Sequence, residues 1–167
     1  ASRNLNKEAI SNGFRMIDAP VSGGVTGAEA GTLTFMVGGA KENVEAAKET
    51  LSCMGKNQVH CGEAGAGESV KLCNNLALAV QMVGTSEALA LGKSLGVDPK
   101  VLASVMNTST ARCWSSDTYN PCPGVMENVP SSRGYTGGFA VGLMRKDLTL
   151  AIEAGNSVKA PTPLGVA

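Results

Sequence analysis

The stretch Gly65–Gly96, GAGESVKLCNNLALAVQMVGTSEALALGKSLG, decides how the rest of the chain is read. It holds no proline, and apolar residues recur at Val70, Cys73, Ala77, Val80, Gly84, Ala88, Leu91 and Leu95, in steps of three or four. That is helical period, sustained far beyond an ordinary surface helix. Leu76, Leu78, Leu89 and Ala90 fall outside the stripe, so the broad apolar surface predicts a helix packed on more than one side. The polar exceptions Lys71, Asn74 and Asn75 gather near its start. Lys71 and Asn75 are four apart and share a face, one turn from each other. A lysine near a helix start works against the helix dipole. Two readings stay open: a snorkelling side chain, or an acid/base group whose charged form burial disfavours.

Gly65-Ala66-Gly67-Glu68-Ser69-Val70 follows a strand-like segment and opens the helix, as a dinucleotide loop does. It is not a full G-x-G-x-x-G, and no following strand ends in an acidic residue, since Glu87 lies in the same helix. Glycines for a tight strand-to-helix turn are the plainer explanation.

Upstream, Ser2 to Asn12 reads as a short helix stopped at Gly13. FRMIDAPV (14–21) reads as a buried strand cut off by Pro20. SGGVTGAEAG (22–31) is small and flexible, with at most a short helix at its end. TLTFMVGG (32–39) is a second strand, and Lys41 to Met54 an amphipathic helix with Val44, Ala47, Leu51 and Met54 inward. QVHCG (58–62) is a third strand. The second and third strands with their helix form a βαβ unit, hence parallel. The short link before the second strand suggests an antiparallel first pair.

Downstream the strands stop. Asp98-Pro99 supplies an N-cap and a first-turn proline for a helix to about Met106. Thr108 to Gly138 is irregular, with one short helix around Trp114 to Tyr119, and a loop of that length is functional or flexible. Phe139 to Ala154 is helical, with Leu143, Asp147, Leu150 and Ala154 on one face. PTPLGVA ends the sequence with no evident role. The fold class is therefore α/β followed by all-α, with domains at 1–64 and 65–167.

The bulk numbers exclude several classes. Across 167 residues, 14 basic and 14 acidic side chains cancel, so nothing suggests capture of nucleic acid or of an anionic membrane. No apolar run is long enough for a transmembrane helix, and ASRNLNKEAI does not read as a signal peptide. Cys53, Cys61, Cys73, Cys113 and Cys122 are odd in number without CxxC spacing, which points to a reducing compartment. With His60 the single histidine, a zinc site is not expected.

Two further groups carry chemistry. Ser22-Gly23-Gly24 follows the strand DAPV, at the kind of strand end where open α/β sheets bind ligands. Its backbone N–H groups can meet a carboxylate or phosphate, and an ordinary glycine turn is the alternative. Lys146-Asp147, near the start of the last long helix, is a candidate site pair or a solvent-facing ion pair.

Together, DAPVSGG, LTFMVGG, GAGESVKLCNN and RKDLTLA resemble the β-hydroxyacid dehydrogenase family, in family order over nearly the whole chain. RCWSSDTYNPCPGV with YTGGF resembles its 3-hydroxyisobutyrate branch, whereas the 6-phosphogluconate branch has a histidine where this chain has Asn74. The resemblance implies the last strands of a Rossmann-type domain, then a long interdomain helix and a helical substrate and dimerisation domain, with the active cleft between the two parts. It implies NAD-dependent oxidation of 3-hydroxyisobutyrate to methylmalonate semialdehyde in valine catabolism, without a metal. Lys71 is then the catalytic acid/base. Ser22, Gly23 and Gly24 bind the substrate carboxylate, and Asn75 assists at the reacting end. Lys146 lies by the nicotinamide cofactor, Phe139 lies near the cleft, and Asp147 acts through its neighbours. The partners implied are a small hydroxy acid and further copies in a homodimer or homotetramer, in the mitochondrial matrix or, for a prokaryote, the cytoplasm. Family alternatives are a tartronate semialdehyde or succinic semialdehyde reductase, or a non-catalytic oligomerisation module of the same fold. The family's enzymes begin with a nucleotide-binding βαβ unit and end with closing helices not seen here. The expectation is that this chain corresponds to the second half of such an enzyme and does not turn over alone.

Overall fold

The computed structural model describes residues 2–167. The chain forms two compact units, residues 1–74 and 75–167, and the division falls inside one long helix.

The first unit begins with α1 (Ser2–Ser11), followed by β1 (Val21–Ser22), α2 (Gly24–Glu29), β2 (Thr34–Gly38), α3 (Lys41–Ser52) and β3 (Asn57–Gly62). The sheet order is β1-β2-β3, with β1 antiparallel and β3 parallel to β2. Both strand directions follow the sequence reading: a chain that crosses over through α3 returns parallel, and a short link returns antiparallel. Phe35, Val37 and Leu51 form the buried core, with Ile17, Ala19, Val21, Leu33, Val44 and Ala47 packed against it. Burying each large side chain here stabilises the unit by about 1.5–3 kcal/mol.

Three local expectations are corrected in this unit. FRMIDAPV is not a continuous buried strand. Phe14 is exposed, Asp18 makes an isolated antiparallel bridge to Gly38, and the two-residue β1 starts only after Pro20. Proline has no N–H to give a ladder, so pairing breaks there, although Pro20 still accepts from the Met36 amide. The helix of the SGGVTGAEAG segment fills its middle and is not confined to its end, because Gly23 at φ +136° turns the chain directly out of β1 into α2. Met54 lies beyond the end of α3 and is exposed, while Val44, Ala47 and Leu51 do face inward.

The long helix is α4 (Ala66–Ser94). The second unit continues with α5 (Pro99–Thr108), α6 (Trp114–Asp117), a 3₁₀ turn at Pro130–Arg133, α7 (Val141–Ser157) and α8 (Pro163–Val166). Asp98 caps α5 as its sequence promised, its Oδ1 accepting from the amides of Lys100 at 2.7 Å and Val101 at 3.4 Å. Leu89, Ala103 and Met106 form this unit's core, with Leu102, Cys122 and Val125 against it.

The apolar stripe read from the sequence of α4 is its bare side. Val70, Cys73, Ala77, Gly84, Ala88, Leu91 and Leu95 are exposed, whereas Gly67, Asn75, Thr85, Leu89 and Gly92 are buried. Which apolar face is covered depends on what packs across from it, and Gly92 is buried because Leu102 occupies the space a side chain would need. On α7 the buried face is Asp147, Ala151 and Gly155, and Leu143 and Leu150 are exposed. Phe139 precedes this helix, and Gly155 lies inside it at a close approach, where a Cβ would meet the Ala160 carbonyl at 2.8 Å. PTPLGVA is also ordered: α8 starts with Pro163 at its first turn, and Gly165 sits against Leu76 of α4.

The irregular segment between α5 and α7 is tied down by polar groups. Asn120, 1% exposed, donates to the Ser116 carbonyl at 3.0 Å and accepts from the Cys122 amide at 3.0 Å. Ser131 donates to the Asn120 carbonyl at 2.6 Å. Asn120 and Ser131 thus find partners for their buried polar groups, and they make this loop a built element, while the buried Ser115 hydroxyl has none among the described residues.

Candidate active site

Ser22, Gly23 and Gly24 lie exposed where β1 ends and α2 begins. A Cβ on Gly23 would touch Leu33 at 3.0 Å, while one on Gly24 would meet nothing within 4 Å. The backbone there faces open space on the Gly24 side, and the first amides of α2 have no acceptor within their own helix.

Lys71 sits in the second turn of α4 and is half-buried. Among the described residues it has no salt-bridge partner. Asn75 lies one turn further on and is buried, whereas Asn74 is exposed. The Asn75 Nδ2 donates to Asp147 Oδ2 at 2.6 Å. Asp147 is 4% exposed, and its Oδ1 accepts from Lys146 Nζ at 3.0 Å, with the Lys146 side chain largely in solvent. Lys146-Asp147 is thus neither a purely solvent-facing pair nor a buried one. A buried carboxylate joins an exposed ammonium to a buried amide, and the three side chains come together from α4 and α7. Sequence reading placed Asp147 in the vicinity but had no signal for its bond to Asn75, because the two are 72 positions apart.

Phe139 is 44% exposed, and its amide donates to the Tyr119 hydroxyl at 3.3 Å. Tyr119 stacks on Trp114 with ring centroids 4.7 Å apart, and Gly138 packs against the same hydroxyl. The aromatic pair therefore supports the chain just before α7, a role that the sequence did not signal. Nearby, Cys113 Sγ lies 3.6 Å from Thr85 Oγ1. Burial pushes the Cys113 thiol up, but hydrogen bonds from Thr85 and Ser116 outweigh it and hold the thiol below its ordinary value.

The Gly65-Ala66-Gly67 turn is filled from within the protein. Gly65 N donates to Asp18 Oδ1 at 2.6 Å and Glu68 N to Asp18 Oδ2 at 3.1 Å. The amides at the start of α4, which a nucleotide loop would offer to a phosphate, already hold a buried carboxylate. The turn is the plain strand-to-helix turn, and a diphosphate does not fit it. Elsewhere, Lys146 offers an exposed ammonium with donors left after its ion pair, and the Phe139 ring is accessible. Among the described residues no three His, Cys, Asp or Glu side chains converge to hold a metal. The five cysteines are free, and no described helix is long and apolar enough to cross a membrane.

The parallel βαβ unit, the long helix after it and the helical unit carrying Asn75 and Asp147 define an architecture of α/β followed by all-α. The chain belongs to the β-hydroxyacid dehydrogenase family: the family model described as NAD-binding of NADP-dependent 3-hydroxyisobutyrate dehydrogenase matches residues 65–167, and that of the NAD binding domain of 6-phosphogluconate dehydrogenase matches residues 1–62. Among its relatives, mitochondrial 3-hydroxyisobutyrate dehydrogenase of Bos taurus is 56% identical over 164 residues, covering 98% of this chain and 49% of that protein. A probable mitochondrial 3-hydroxyisobutyrate dehydrogenase of Dictyostelium discoideum is 59% identical over 150 residues, 90% of this chain and 47% of its own. The structure of 3-hydroxyisobutyrate dehydrogenase from Mycobacterium tuberculosis with L-serine superposes with a TM-score of 0.96 at 42% identity, over 99% of this chain and 57% of that one. The chain spans about half the length of the curated relatives it matches.

Proposed function

We propose that the protein containing this chain oxidises 3-hydroxyisobutyrate to methylmalonate semialdehyde, with Lys71 as acid/base and NAD as cofactor. The observation that carries the reading is a half-buried lysine one helical turn before a buried asparagine whose amide is held by Asp147. The high identity to relatives named 3-hydroxyisobutyrate dehydrogenase supports the choice of substrate.

In this reading Ser22, Gly23 and Gly24 bind the substrate carboxylate through backbone amides. Their exposure and the open space beside Gly24 support that role. Asn75, fixed by Asp147, orients the hydroxyl. The neutral amine of Lys71 takes the hydroxyl proton as the hydroxyl-bearing carbon gives up its hydride, and in the reverse direction the ammonium returns that proton. NAD, when bound, supplies the hydride acceptor. Lys146 and Phe139 would hold its nicotinamide end, supported by the exposed ammonium and the accessible ring. Residues 1–64 belong to the dinucleotide-binding domain and residues 65–167 to the helical substrate domain. The family matches at 1–62 and 65–167 support that division. The exposed apolar side of α4 supports a homo-oligomer, and the mitochondrial relatives support a place in the mitochondrial matrix.

The test is steady-state kinetics of the full-length protein with 3-hydroxyisobutyrate, comparing NAD with NADP. Removing a positioned acid/base costs about a hundredfold to ten-thousandfold in rate. Lys71→Ala loses that much kcat while NAD binding, measured separately, persists. Lys71→Arg does not rescue, because a guanidinium stays protonated. Near-normal kcat in a folded Lys71→Ala variant removes the mechanism.

A further inference from the structure

Asp18 is a buried carboxylate that the mechanism above does not use. A charged group out of water is costly unless it is paired or well hydrogen-bonded, so its surroundings show what it is for. Both oxygens are spent at the start of one helix: Oδ1 on Gly65 N at 2.6 Å, just before α4, and Oδ2 on Glu68 N at 3.1 Å, in its first turn. The Asp18 backbone is fixed in turn to β2. Asp18 N donates to the Gly38 carbonyl at 2.9 Å, and Gly38 N to the Asp18 carbonyl at 2.7 Å. One residue thus bolts the first turn of α4 to the sheet.

The fit around it leaves no slack. A Cβ on Gly38 would lie 2.6 and 2.7 Å from the two Asp18 oxygens and 2.8 Å from Gly67 N. A Cβ on Gly67 would lie 2.9 Å from Asp18 Oδ2 and would collide with the Met36 carbonyl. Only two glycines allow the helix start and the strand to meet this closely. Lys71 stands four residues after Gly67, on the same face and about 6 Å along the axis. Any shift of the first turn passes through the rigid helix to the Lys71 side chain.

We infer that Asp18 is a positioning residue, whose carboxylate seats the first turn of α4 and so sets where Lys71 meets the substrate hydroxyl. This rests on the reading of Lys71 as the acid/base. Asp18 touches no reacting atom in this scheme. Its effect is confined to the proton-transfer step, because misplacement of a catalytic group by about 1 Å costs about a hundredfold in rate.

The experiment is a double-mutant cycle in the full-length protein with Asp18→Asn, Lys71→Ala and the pair, reading kcat and KM after circular dichroism confirms folding. Asn keeps the shape but turns an amide nitrogen toward one of the two N–H donors. Asp18→Asn is expected to lower kcat about tenfold to a hundredfold, to leave both KM values within about twofold, and to cost nothing further when Lys71 is already Ala. Unchanged kcat in folded Asp18→Asn overturns the inference. So does an equal loss in the Lys71→Ala background, or a rise in KM for the hydroxy acid at constant kcat. If Asp18→Asn does not fold, Asp18→Glu, which keeps the charge but displaces it by one methylene, is read by the same criteria. Failure of the inference is separable from failure of the functional reading: if Lys71→Ala is inactive and Asp18→Asn normal, only the positioning role falls. A fully active Lys71→Ala removes both.

Discussion

The Asn75 side chain donates to the Asp147 carboxylate at 2.6 Å, and both residues are buried. A hydrogen bond to an ionised acceptor is stronger than a neutral one, and its loss inside a protein leaves a donor without that acceptor. The carboxylate also meets Lys146, but that ammonium is largely in solvent, so the ion pair adds little. Asp147→Ala is therefore expected to cost about 1–3 kcal/mol of stability, mostly through Asn75. A double-mutant cycle with Asn75→Ala, read from denaturant melts, should give a coupling of about 0.5–3 kcal/mol. Additive effects would show that the contact contributes nothing of its own.

Asn75→Ala should also damage turnover less than Lys71→Ala. An amide orients the hydroxyl, whereas an acid/base moves its proton. The two variants assayed side by side with 3-hydroxyisobutyrate decide the order, and the reverse order would make Asn75 the more important group.

Gly23 stands at φ +136° with Leu33 beside it, so a side chain there meets both backbone strain and a neighbour. Gly23→Val should cost about 1–3 kcal/mol in strain and lower kcat/KM for a carboxylate substrate. Gly24→Ala, with open space around its Cβ position, should disturb packing less, although φ +62° still strains any side chain there. Normal kinetics in a folded Gly23→Val variant would leave the loop as a turn only.

Cys113 should be alkylated at lower pH than a thiol in a short unstructured peptide. The thiolate is the reactive form. Burial opposes it, but the hydrogen bonds from Thr85 and Ser116 favour it more, and the net shift is downward. Thr85→Val removes one of those bonds, so the midpoint of the rate against pH should rise. Iodoacetamide labelling across a pH series, read by mass spectrometry, measures both midpoints.

Asp98 caps α5 through two amides. Asp98→Ala should lower stability by about 1 kcal/mol, seen as a reduced melting temperature without loss of NAD affinity.

What the sequence by itself determined is local in origin. The helical period of Gly65–Gly96, the cap and proline at Asp98-Pro99 and the crossover that makes β2 and β3 parallel depend on residues near one another along the chain. The shared face of Lys71 and Asn75 follows from four-residue spacing on a helix alone. Tertiary structure decided the rest. Apolar residues surround α4, so periodicity could not choose between its faces, and the covered side proved to be that of Asn75, Thr85, Leu89 and Gly92. The Gly65 turn looked like half a nucleotide loop until Asp18, 47 positions earlier, filled it. Asn75 gained its acceptor from Asp147 on another helix. Contacts between residues so distant in the chain leave no periodic or compositional trace. They exist only once the elements have packed and brought a buried carboxylate to the donors that stabilise it.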